Sequence, residues 1–178
     1  MNKLAIALSA ALSLGAVTSA SAADAVINFE GTIEALTCEI GVGSGVSDTL
    51  TMATISPTAI SSGAAARQQN FDLTMGTDAT KCAAGNVTLS FEDVNLDADG
   101  YLANTEAVGG TDPGAPGVRM AIRDGSGPLN LKTHTLSATI DAGVGTASFP
   151  LTASYEPIAG ETPANGTFKS ALHVSVKY

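Results

Sequence analysis

The chain has 178 residues, with 8 Lys and Arg against 17 Asp and Glu and a formal net charge of -9. That length suits one domain with a real core, and the acidic balance leaves no basic stripe for nucleic-acid phosphates or an anionic membrane. A hydrophobic fraction of 44% with 14% charged residues is too apolar for a disordered acidic tail, while 19 Gly, 7 Pro and no Trp point to a turn-rich domain with an aliphatic core.

Lys3 gives a short positive start, and residues 4–17 form an apolar run without a charge. Small residues follow at Ala20 and Ala22, where signal peptidase needs them, so residues 1–22 read as a secretory signal and residues 23–178 as the mature domain. A membrane anchor is the alternative, but the run falls short of the roughly 20 residues needed to span a bilayer. Export makes the cysteines readable. Cys38 and Cys82 both lie in the mature chain, and an oxidising compartment pairs them, two buried free thiols being the alternative. Such a bridge stabilises by roughly 3–4 kcal/mol, mainly by restricting the unfolded chain.

From Ile27 onward the mature N-terminus alternates. Ile27, Phe29, Gly31 and Ile33 share one face, and polar side chains take the other, a strand signal of period two. Further strand-like runs cover residues 49–55, 69–75, 86–91, 118–122, 136–140, 146–155 and 168–178. In the last, Leu172, Val174, Val176 and Tyr178 stand opposite His173, Ser175 and Lys177. Gly- and Pro-rich turns separate the runs at 41–45, 109–117, 124–128 and 160–166. Residues 56–68 hold four alanines and could form a helical turn, limited by Pro57 and Gly63. About eight short strands with this spacing indicate one antiparallel sandwich of immunoglobulin-like type.

Catalysis finds little support. His134 and His173 have no local nucleophile, the thiols are consumed, and the glycine run at 41–45 lacks the lysine of a phosphate-binding loop. One motif resembles a calcium loop. Asn95, Asp97 and Asp99 occupy positions one, three and five, with Gly100 at six and Glu106 at twelve. Asn at position one, Ala103 at nine and a strand-like run in front argue for a turn of solvated acids instead, so Asn95, Asp97, Asp99 and Glu106 remain weak metal candidates, and no cofactor is expected.

Six segments together carry a resemblance: the leader ADAVINFEGTIEALTC, the second cysteine in ATKC, then VTLSFEDVNLDADGYLANT, PGVRMAIRDGSGPL, FPLTASYEP and the terminal ALHVSVKY. In this order they resemble a chaperone–usher pilus subunit of the type 1 and P pilin kind, over essentially all of residues 23–178. The resemblance implies an all-β, incomplete immunoglobulin-like sandwich (the pilin fold), completed by a donor strand from another subunit. Pilin donor-strand complementation is itself a recognised instance of β-augmentation.

Residues 23–33 would then be the N-terminal extension, with Ala25, Ile27, Phe29, Gly31 and Ile33 on the donor face. The acceptor groove, which the chaperone also uses, would lie between the strand containing Cys38 and the terminal strand, lined by Leu172, Val174, Val176 and Tyr178. The implied partners are other copies of the chain, other pilus subunits, a periplasmic chaperone that anchors the terminal carboxylate, and an outer-membrane usher. The implied destination is the fimbrium on the surface of a Gram-negative bacterium, reached through the periplasm. A shaft subunit supporting adhesion and biofilm formation, not an enzyme, is the expectation. The rivals are a single-domain adhesin binding a host receptor, and a free-standing secreted sandwich with or without calcium.

Overall fold

Alternating apolar and polar side chains become antiparallel strands arranged as two sheets. The computed structural model describes residues 38–43, 49–76, 81–109 and 113–178. The secretory signal and the alternating leader with Ala25, Ile27, Phe29, Gly31 and Ile33 lie outside the described residues. One sheet contains β1 (Ile40–Val42), β2 (Gln68–Met75), β4 (Leu102–Ala103), β5 (Val118–Asp124), β6 (Gly127–Pro128) and β8 (Ala147–Pro157). Its order is β1-β2-β8-β5-β4, with β6 paired to β5. The second sheet has the order β7-β3-β9, from β3 (Gly85–Phe91), β7 (Thr135–Ile140) and β9 (Val174–Lys177). Every named strand pair is antiparallel.

Period-two patterning decides which face is buried. On β3, Val87, Leu89 and Phe91 point into the core, and on β8 Phe149, Leu151 and Ala153 do so. Met75, Met120, Ile122, Leu131 and Ile140 complete the same cluster. Cys38 and Cys82 form a disulfide with a Cα–Cα distance of 5.0 Å. Cys38 precedes β1 and Cys82 precedes β3, so the bridge ties one sheet to the other.

Residues 56–68 do contain a helix, α1 (Pro57–Ser61). Pro57 starts it and does not limit it, because a first-turn position needs no N–H. Ser56 caps it, its hydroxyl accepting from the Ala59 N–H at 3.2 Å. Gly63, with φ +72, takes the left-handed turn beyond its end, and a 3-10 turn at Ala65–Arg67 leads into β2. Ile60 packs with Ala115 and Val118 in a small second cluster.

Two strand expectations fail in instructive ways. Residues 49–55 are irregular, although alternation marked them as a strand. They run beside a cavity, and none of the described strands pairs with them. The terminal run, expected over 168–178, is a strand only from Val174. Upstream of it, loops take the main-chain groups. Lys169 N–H donates to Asn104 Oδ1 at 3.0 Å, Thr105 N–H donates to Lys169 O at 2.8 Å, and the Asn95 amide donates to Ala171 O at 3.4 Å. The strand expected at Cys38 begins just after it, as the three-residue β1, whereas the two-residue β4 and β6 were not expected.

Gly76 marks the tightest turn near the disulfide. Its φ is +71, its N–H donates to Glu39 O at 2.7 Å, and a Cβ there would stand 2.6 Å from Gly145 O and 2.9 Å from Cys82 Sγ. Gly76→Ala is expected to cost about 1–3 kcal/mol through backbone strain and displacement of that carbonyl. Urea unfolding of the oxidised chain, with unchanged m-value, checks it.

Candidate functional site

An open apolar cavity of about 730 Å³ lies against the core. Ile40 and Val42 of β1 and Phe71 and Leu73 of β2 form one part of its lining. Phe168, Leu172 and Val174, leading into and along β9, form another. Met120, Ile122 and Ala153, from the middle strands of the larger sheet, also line it. These are core-quality side chains, yet Ile40, Leu50, Met52, Phe71, Leu172 and Val174 are only partly buried. A cleft lined this largely by apolar side chains is the usual form of a binding site.

The backbone around the cavity is equally incomplete. Among the described strands, β1 pairs only with β2, and β9 only with β3. Each therefore presents a free edge of main-chain donors and acceptors, a template for another strand. Ser170, in the cavity lining, has a buried hydroxyl with no hydrogen-bond partner among the described residues. A second cavity of about 490 Å³, against α1 and residues 164–167, shares Met52, Tyr155 and Phe168 with the first. Tyr155 and Phe168 meet edge to face, with ring centroids 5.6 Å apart. Burial there pushes the Tyr155 hydroxyl above its ordinary range.

Of the terminal residues expected at the groove, Leu172 and Val174 line the cavity, and Val176 packs against the core beyond it. Tyr178 is 47% exposed and is not among the lining residues. Sequence reasoning had not singled out Ile40, Val42, Leu50, Met52, Phe71 or Leu73. The alternation of Ile40 and Val42 directly after Cys38 was the available signal.

The calcium-like loop turns its oxygens to protein partners. Asp97 Oδ1 accepts from the N–H groups of Asp99 and Tyr101, each at 2.9 Å. Arg119 donates to Asp97 Oδ2 at 3.0 Å and to Asp99 Oδ2 at 2.6 Å. Its guanidinium also sits 4.3 Å from the centre of the Tyr101 ring. Burial works against the charged Arg119, but the two carboxylates outweigh it and the net shift is upward. Glu106 pairs with Lys169 at 2.7 Å, and the Asn95 amide donates to Ala171 O. Among the described residues, no group of three His, Cys, Asp or Glu side chains is placed to hold a metal ion. Both thiols are in the disulfide, so neither can act as a nucleophile. His134 lies in the turn before β7, and His173 immediately precedes β9.

A family model described as "Fimbrial protein" matches residues 27–178. No curated protein matches the sequence. Among solved structures, the chain is similar to the P pilus rod subunit PapA, at 13% identity and a TM-score of 0.56, covering 86% of this chain and 99% of that one. It is likewise similar to a chaperone–usher pilus structure concerned with rod uncoiling, at 13% identity and a TM-score of 0.56, covering 88% of this chain and 96% of that one. At such identity the likeness speaks for the fold.

Proposed function

The chain belongs to the fimbrial protein family, and from that premise we propose that it is a shaft subunit of a chaperone–usher pilus which polymerises by donor-strand exchange. It is a structural protein and not an enzyme. The observation that carries the proposal is the open apolar cavity beside the free edges of β1 and β9. An inserted strand pairs with those free edge groups, fills the cavity with alternate side chains and brings main-chain partners to the Ser170 hydroxyl. The leader offers such a strand, with Ala25, Ile27, Phe29, Gly31 and Ile33 on one face. Leu172 and Val174, which line the cavity, receive it.

Donation from each copy to the next is heterologous and does not close, so the product is a filament. Before assembly, a periplasmic chaperone lends the missing strand, and an outer-membrane usher exchanges it for the leader of the next subunit. The exported chain passes through the periplasm of a Gram-negative bacterium to the cell surface. Adhesion and biofilm formation are then properties of the fibre.

Deletion of residues 23–32 separates donation from acceptance. The truncated chain, co-expressed with the chaperone, is expected to fold, to accept a strand and to end the polymer wherever it is incorporated. Electron micrographs of mixed assemblies should show filaments that shorten as the truncated fraction rises. Filaments of undiminished length would refute the donor assignment.

A further inference from the structure

β9 has two faces. Val174 and Val176 pack against the core, whereas Ser175 and Lys177 take the outward face, where the Ser175 hydroxyl donates to Glu92 Oε1 at 2.6 Å. In the ladder, Thr88 of β3 stands opposite Lys177 and Ser137 of β7, and Ser90 stands opposite Ser175 and Thr135. Asn86 and Thr139, joined by a 2.8 Å hydrogen bond, extend the same surface, whose Ser175 end carries the Glu92 carboxylate. Lys177 is thus the one cation on the outward face of this sheet among the described residues, and no described acid forms an ion pair with it. It stands on the strand whose other edge is unpaired among the described strands.

The leader has the opposite charge. With Ile27, Phe29, Gly31 and Ile33 turned inward, its outward positions are Asn28, Glu30, Thr32 and Glu34. We infer that Glu30 of an incoming copy pairs with Lys177 of the acceptor, so that charge as well as apolar pattern sets the register; this rests on the strand-donation reading above. Parity alone brings the two outward sets onto one surface.

The pairing survives either strand direction. Antiparallel insertion with Ile27, Phe29, Gly31 and Ile33 against Tyr178, Val176, Val174 and Leu172 puts Glu30 level with Ser175, diagonal to Lys177. Parallel insertion with Ala25, Ile27 and Phe29 against Leu172, Val174 and Val176 puts Glu30 directly opposite Lys177. Direct and diagonal cross-strand positions are both within reach of long side chains. Asp24 and Glu34 are distant from Lys177, or beyond the end of β9, in both arrangements. The expected partner is therefore a single carboxylate.

A charge exchange within the full mature chain tests this, because every junction of the polymer holds one copy of each residue. Filaments of Lys177→Glu and of Glu30→Lys are each expected to dissociate about three- to fivefold faster than the unaltered chain at low salt. The double variant, with the charges interchanged, is expected to return to within about twofold of it. High salt should shrink the deficit of the single variants, because exposed pairs are screened. Circular dichroism and thiol titration of each subunit confirm that the oxidised fold is intact. Singles that dissociate like the unaltered chain, or a double as weak as the singles, overturn the pairing while strand donation stands. An unaltered chain that forms no filament overturns the donation reading, and the pairing with it.

Discussion

Cys38→Ser or Cys82→Ser is expected to lower the stability of the isolated subunit by about 4 kcal/mol, the loop-closure value for a separation of 44 residues. That is a large share of the roughly 5–15 kcal/mol by which native domains are stable. Among the described residues, core side chains such as Phe71 and Met52 are also only partly buried. Either substitution should therefore leave the unpartnered chain largely unfolded at 37 °C. Thermal unfolding of chaperone-released subunit, with and without reductant, measures the difference. The variant should regain stability when a donor strand is fused after Tyr178, because burying the open cavity offsets the lost constraint. Equal melting temperatures for oxidised and reduced protein would contradict the expectation.

On the proposed donor-strand reading, Val174→Asp is expected to abolish capture by a periplasmic chaperone. Val174 lines the cavity and pairs with Phe91 at the start of β9. In the open subunit it is only partly buried, so a carboxylate there keeps some contact with water. Once a strand covers it, that carboxylate is enclosed among apolar side chains at a cost of about 3 kcal/mol or more. The penalty falls on the complex more than on the free subunit. Ser175→Lys, one residue on, faces outward beside Glu92 and should bind the chaperone as the unaltered chain does. Co-purification of unfused subunits reads the difference directly. A version of Val174→Asp with a donor strand fused after Tyr178 then reports whether folding itself has failed. Undiminished capture of the unfused variant would place the groove elsewhere.

How much of this was legible in sequence depended on whether a segment is satisfied by its own neighbours. Residues 69–75, 86–91, 136–140 and 146–155 alternate apolar with polar or small side chains, 118–122 is mostly apolar, and each matches to within two residues a strand whose partners are present. Period two was enough there. Residues 49–55 carry a similar pattern, but alternation reports a preferred environment and cannot supply a neighbour to bond with. The end of the chain divides for the same reason. Val174–Lys177 pairs with β3, whereas residues 168–173 give main-chain groups to Asn104, Thr105, Glu92 and Asn95 on adjoining loops. The calcium-like spacing could not be judged from sequence, because the decisive residue, Arg119, is twenty positions from Asp99 and reaches it only across the β4–β5 pairing. The cysteine pair was readable because export left two thiols and one way to join them.

The position of the disulfide also has a mechanical meaning. Tension on the chain ahead of Cys38 would otherwise enter through β1, a three-residue strand paired, among the described strands, with β2 alone, and peel it one bond at a time. The covalent link delivers that load instead to the root of β3, the middle strand of the second sheet, which is bonded on both sides by β7 and β9. A pull at the front of one copy is thereby passed, through sulfur, to the strand that braces β9 at its rear. For a pull on the subunit's own front end the weak edge strand is bypassed, and reduction would turn it into the first part of the subunit to give way.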